Sequence, residues 1–167
     1  FDFKKCRQVR TPYVGSVEWY CEPVTPLRLD EQARFRRLVG RLLRIRAARP
    51  DLAFAIKELC RDVLRPTARS ELALKRCLCN LKTTRDYVLQ LRWDPQATPL
   101  EATQVIGDAV WEPAGGKCST SGMVVRRQGF PILFWGKTQP GYALRSAESR
   151  CDAMVSGVLE AKKIEMI

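Results

Sequence analysis

The sequence predicts an α+β chain in which a small helical bundle precedes an antiparallel three-strand meander and one closing helix. Three observations carry this. Apolar residues between 35 and 81 recur every three or four positions, as on a helix face. From 102 to 137 they gather in short runs separated by glycine-containing turns, and from 146 onward helical spacing returns.

Taken in order, residues 4 to 27 hold three prolines and no clean period, so they read as an extended lead-in. Phe35, Leu38, Val39, Leu42 and Leu43 then define a first helix, with Asp30 as its expected N-cap and Pro50 ending the run. Pro50 also suits the first turn of a second helix, striped by Leu52, Ala55, Ile56, Leu59 and Val63 and stopped by Pro66. Thr67 or Ser70 is expected to cap a third, lined by Leu72, Leu74, Cys77, Leu78 and Leu81.

Tyr87 to Trp93, "YVLQLRW", alternates like a strand, and "DPQATP" at 94 to 99 is rich in turn formers. The expected division is therefore 1–97 and 98–167. "ATQVIGDAVW" (102–111), "SGMVVRR" (121–127) and "PILFWGK" (131–137) are the three strands, with turns at Gly115-Gly116 and Gln128-Gly129. The final helix runs from Ser146 to Ile167, and Ala147, Cys151, Met154, Val155, Val158 and Leu159 form its expected buried stripe.

The net charge of +11 is unevenly spread: residues 1–97 hold 21 Lys/Arg against 11 Asp/Glu, and residues 98–167 hold 8 against 7. A field of this sign favours a polyanion. Nucleic acid is preferred to an acidic membrane because no aromatic-anchored amphipathic terminal helix is present. No apolar run is long enough to span a bilayer and the start lacks the layout of a signal peptide, so an intracellular protein, cytoplasmic or nuclear, with no membrane partner is expected. The seven cysteines are irregularly spaced and the chain has no His, which reads as free thiols in a reducing compartment rather than a zinc site. A start without Met leads us to expect a piece of a longer product.

Several blocks then resemble one family. "FRRLVGRLL", "ARPDLAFAIKEL" and "PTARSELALKRCLCNLK" are similar to the segment just after the polymerase core of copia-type retrotransposon Pol polyproteins, which read Y-R-x-L-V-G-x-L, R-P-D-x-x-F-A-V and L-K-R-x-x-R-Y-L-K. "GDAVW", "STSG", "FWGKTQ" and "ALRSAESRCDAM" resemble the opening of that family's ribonuclease H, written S-D-A-D-W, S-T-S-G, W-S-K-T-Q and A-L-S-S-x-E-A-E-x-x-A-L. The blocks are collinear from about residue 4 to residue 163. The resemblance implies a reverse transcriptase thumb/connection-like segment at 1–97 joined to a partial ribonuclease H-like domain at 98–167. It places the polymerase aspartates before residue 1, puts the rest of the nuclease after residue 167, and makes the remainder of the Pol polyprotein a partner.

Ribonuclease H chemistry uses two magnesium ions held about 4 Å apart by converging carboxylates. The family match makes Asp108 the first-strand metal ligand, here vestigial, while Val110 replaces the family's second Asp. Arg150 falls at the second Glu of E-A-E, a substituted ligand position, and a permanently cationic guanidinium cannot ligate magnesium. Glu148 is a weak substitute: two residues away on a helix means a rotation of about 200°, and a first-turn acid is already favoured by the helix dipole. With one matching carboxylate, the chain is expected to bind no magnesium productively and to be catalytically inactive.

Arg34, Arg37, Arg41 and Arg44 recur at helical spacing, with Arg36, Arg46 and Arg49 nearby. A solvated face is one reading of such a ridge. The resemblance implies the other, contact with the backbone of an RNA:DNA hybrid or another nucleic acid. The expectation is a Pol fragment that binds without cutting, or alternatively a non-enzymatic nucleic-acid-binding remnant or host-adopted protein.

Overall fold

A computed structural model describes residues 6–13, 25–90, 103–111, 118–127 and 130–166. The chain divides into two compact units, Phe1–Leu89 and Gln90–Ile167. The turn-rich 94–99 segment and the expected turns at 115–116 and 128–129 lie outside the described residues.

The first unit holds three helices, α1 (Leu29–Ile45), α2 (Ala53–Arg61) and α3 (Ala68–Thr83), with a 3₁₀ turn at Pro50–Leu52 leading into α2. α1 does not use Asp30 as its cap. Glu31 reaches back to accept the Arg28 backbone N–H at 3.0 Å, which fixes Arg28 as the N-cap and leaves Asp30 an exposed acid in the first turn. The helix also stops short of Pro50, because Arg49, the residue before the proline, is held out of helical geometry at φ −130°, ψ 76°. α2 likewise ends at Arg61, before Val63. At α3 both expected capping residues act together: Thr67 Oγ1 accepts the Ser70 N–H at 3.3 Å, and Ser70 Oγ accepts the Thr67 N–H at 3.2 Å.

Phe35, Val39 and Leu42 of α1 pack with Leu52, Ile56, Leu59, Leu74 and Cys77 in one core, each at most 2% exposed. Leu43 and Leu72, expected on the stripes, are 43% and 60% exposed; Leu72 is turned outward while its neighbour Ala73 faces the core. Tyr87–Gln90 forms no strand, since alternation alone supplies no neighbour to pair with; the rest of that run lies outside the described residues. Instead Tyr87, Val88 and Leu89 border an open groove of about 510 Å³ beside Ile45 and Leu81, with the Arg49 guanidinium 5.8 Å from the centre of the Tyr87 ring.

The second unit is the expected meander with its helix: β1 (Gln104–Val110), β2 (Thr120–Arg127), β3 (Phe130–Thr138) and α4 (Ser146–Glu165), in sheet order β1-β2-β3, both pairs antiparallel. Direct partners share a face, so Val105, Met123 and Leu133 lie on one side of the sheet with Val125 and Trp135, where the small core forms.

α4 packs on this sheet by a face opposite in character to the expected one. Ser149, Ala153, Gly157 and Ala161 are buried, whereas Ala147, Cys151, Met154, Val155, Val158 and Leu159 are all exposed. Small residues every four positions let the helix axis approach the strands, and bulky ones cannot fit there. A Cβ on Gly157 would stand 2.5 Å from Met123 Cε and 2.6 Å from Val105 Cγ1. Gly157→Ala should therefore destabilise the unit by about 1–2 kcal/mol, the overpacking outweighing the helix-propensity gain of about 1 kcal/mol. Urea unfolding followed by circular dichroism checks this; a stabilised variant would show that the helix lies further from the sheet.

Candidate nucleic-acid interface and the Asp108 site

The arginine-rich helix α1 separates into two groups. Arg34 is ion-paired with Glu71 of α3. Arg36 donates to the Val63 and Leu64 carbonyls at 2.9 and 3.2 Å, closing the chain that leaves α2. Beyond the helix, Arg49 is only 7% exposed: it grips Asp51 through two hydrogen bonds of 2.9 and 2.7 Å and donates to Thr84 Oγ1 and the Thr84 carbonyl. Asp51 holds the Arg49 guanidinium more basic than usual, against the opposing effect of burial. These arginines hold the bundle together.

Arg37, Arg41 and Arg44 form the other group. They are exposed and make no ion pair among the described residues. Their spacing of four and three puts neighbouring Cβ atoms about 5–6 Å apart along roughly 10 Å of helix. Gly40 lies between them, exposed, and a Cβ there would meet nothing within 4 Å, so the surface beside the guanidinium groups is low and open. The only aromatic residue of α1, Phe35, is in the core. This face offers fixed positive charge and multiple N–H donors but no stacking platform, a combination that suits phosphates rather than bases.

Asp108 lies near the end of β1, an edge strand among the described residues. Its Oδ1 accepts the Ala109 N–H at 2.8 Å, and Arg150 Nε stands 3.6 Å from the same oxygen. The meeting follows from the packing of α4: with Ser149 buried, the next residue, Arg150, is carried to the β1 edge. Both side chains are well exposed, 79% for Asp108 and 64% for Arg150, so the pair adds little to stability. Glu148 is engaged elsewhere, accepting the Leu144 N–H at 2.7 Å in the turn before the helix. Val110 is exposed.

Magnesium needs several oxygen ligands in near-octahedral array. One carboxylate facing a guanidinium does not provide that, and among the described residues no three His, Cys, Asp or Glu side chains converge as a metal site. The described residues around Asp108 do not fit the ion.

The sequence reading missed Gln139, the residue that organises this unit. It is 4% exposed; its Nε2 donates to Ser121 Oγ at 2.8 Å and to the Ser149 carbonyl at 2.7 Å, and its backbone N–H donates to the Ser119 carbonyl at 2.8 Å. It thus ties the end of β3 to β2 and to the first turn of α4, which sets where Arg150 emerges. It closes the "FWGKTQ" block, which was the available signal, but the sequence reading gave it no role. Of the cysteines, all six described are free; Cys77 and Cys79 are buried, and burial pushes the Cys77 thiol up to about 12. The exposed Cys151 departs from its expected place in a buried stripe. No helix among the described residues is long and apolar enough to cross a membrane. Compared with protein-family models, with curated proteins and with solved structures, the chain finds no match.

Proposed function

We propose that this chain binds nucleic acid through the outer face of α1 and does not cleave it, and that it is a segment of a copia-type Pol polyprotein joining a reverse transcriptase tail to the start of a ribonuclease H-like domain. The observation that carries the binding is the exposed triad Arg37, Arg41 and Arg44, left over after Arg34, Arg36 and Arg49 are committed to internal contacts. Three guanidinium groups in line contact successive phosphates without reading sequence. The family assignment rests on the ordered sequence blocks; the order of three helices, three antiparallel strands and a helix is compatible with it.

The Arg150–Asp108 pair favours the second reading as well, a binding remnant without catalysis, because a cation stands where the family's chemistry needs an anion. Both readings give one expected result. A labelled RNA:DNA hybrid incubated with the chain and magnesium or manganese is retained on the protein and recovered intact. Metal-dependent cleavage that disappears in Asp108→Asn would refute the inactive assignment; failure to retain hybrid or duplex at low salt would refute the binding.

A further inference from the structure

α4 turns its small residues inward and its large ones outward. Ser149, Ala153, Gly157 and Ala161 are buried, while Met154, Val155, Val158 and Leu159 are 51–64% exposed. Four such side chains on one face make a patch on the order of 400 Å², within the range of the largest apolar patch of a typical monomer, which is often functional. The line through this patch is charged at its ends. Glu148 and Lys162 lie seven residues to either side of Val155, drifting only about 20° per heptad, and both are exposed.

We propose that α4 pairs with α4 of a second copy of this chain, antiparallel about a twofold axis at Val155. In this arrangement Glu148 of each copy meets Lys162 of the other, Cys151 meets Leu159, and Val155 meets itself. A parallel pairing would set Glu148 against Glu148 and Lys162 against Lys162, so charge selects the antiparallel one. The rest of the second unit does not oppose it: residues 98–167 hold 8 Lys/Arg against 7 Asp/Glu, whereas residues 1–97, with 21 against 11, would repel a copy of themselves. Two patches bury about 800 Å² in total, below the roughly 1,200 Å² of a standard interface, so the pair is weak.

Sedimentation velocity of the full chain tests this. Between about 5 and 500 µM the wild-type coefficient should climb from the monomer value toward the dimer value. Glu148→Lys and Lys162→Glu should each weaken association about fivefold or more, and the double exchange E148K/K162E should restore it. Glu148 also serves the turn at Leu144, so Val155→Glu, at an exposed position on the axis, provides an independent loss of dimer. A wild type that stays monomeric throughout, a double exchange no better than either single change, or a Val155→Glu chain that still dimerises overturns the proposal.

Discussion

Reversing Arg37, Arg41 and Arg44 to glutamate together should weaken binding of a short RNA:DNA hybrid by about 500-fold or more at ~0.1 M salt. Each phosphate contact releases about 0.9 condensed counterion, which at that concentration is worth about 0.9 log unit, so three contacts are worth about 2.7. Introduced carboxylates add repulsion to that loss. The bundle itself should be untouched, because the three side chains are exposed and the core uses Phe35, Val39 and Leu42 from the other side of the helix. Fluorescence anisotropy measures the affinity, with circular dichroism as the control for folding. The same triple change at Arg34, Arg36 and Arg49 should unfold rather than unbind, since those guanidinium groups hold Glu71, the carbonyls after α2, and Asp51 with Thr84. A triple glutamate variant at 37, 41 and 44 that binds as well as the wild type would move the interface off α1.

Phe35→Ala should cost the first unit about 3–5 kcal/mol. The ring is 1% exposed and sits in the cluster with Leu52, Ile56, Leu59 and Leu74. The neighbours cannot collapse far into the space left behind, because α1 is fixed at one end by the Glu31 bond to Arg28 and across its length by the Arg34–Glu71 pair and the Arg36 bonds. A small helical unit has only about 5–15 kcal/mol of net stability, so this one change removes much of it. Urea titration followed by the helical signal at 222 nm gives the number. A loss under about 1 kcal/mol would mean that the ring is not the centre of the core.

The helices and strands were legible because their periods are clean: residues 35–59 and 102–137 each follow one pattern, and the structure places α1, α2, β1, β2 and β3 close to those runs. What failed was the inference from size to burial. In α4 the bulky residues form a perfect helical stripe, yet the buried face belongs to Ser149, Ala153, Gly157 and Ala161, because close approach to a sheet selects for small volume. Tyr87–Gln90 alternated without a partner strand and stayed irregular. The division of the arginines could not be read at all: Arg34 and Arg37 look alike in sequence, and only the position of Glu71 on α3, 37 residues away, separates them. Spacing likewise says nothing of Arg150 meeting Asp108, which depends on α4 settling on β1 and on Gln139 fixing its first turn. The family resemblance had already drawn attention to both residues.

The most direct test of the binding surface is the salt dependence of hybrid affinity for the wild-type chain, measured between about 50 and 200 mM and repeated with an unrelated hybrid sequence. Three phosphate contacts give a slope of log K against log salt near −2.7, a loss of about 40-fold over that range, and the same slope for both sequences. A slope near zero, or one that differs between sequences, would contradict an interface made by Arg37, Arg41 and Arg44 on the phosphate backbone.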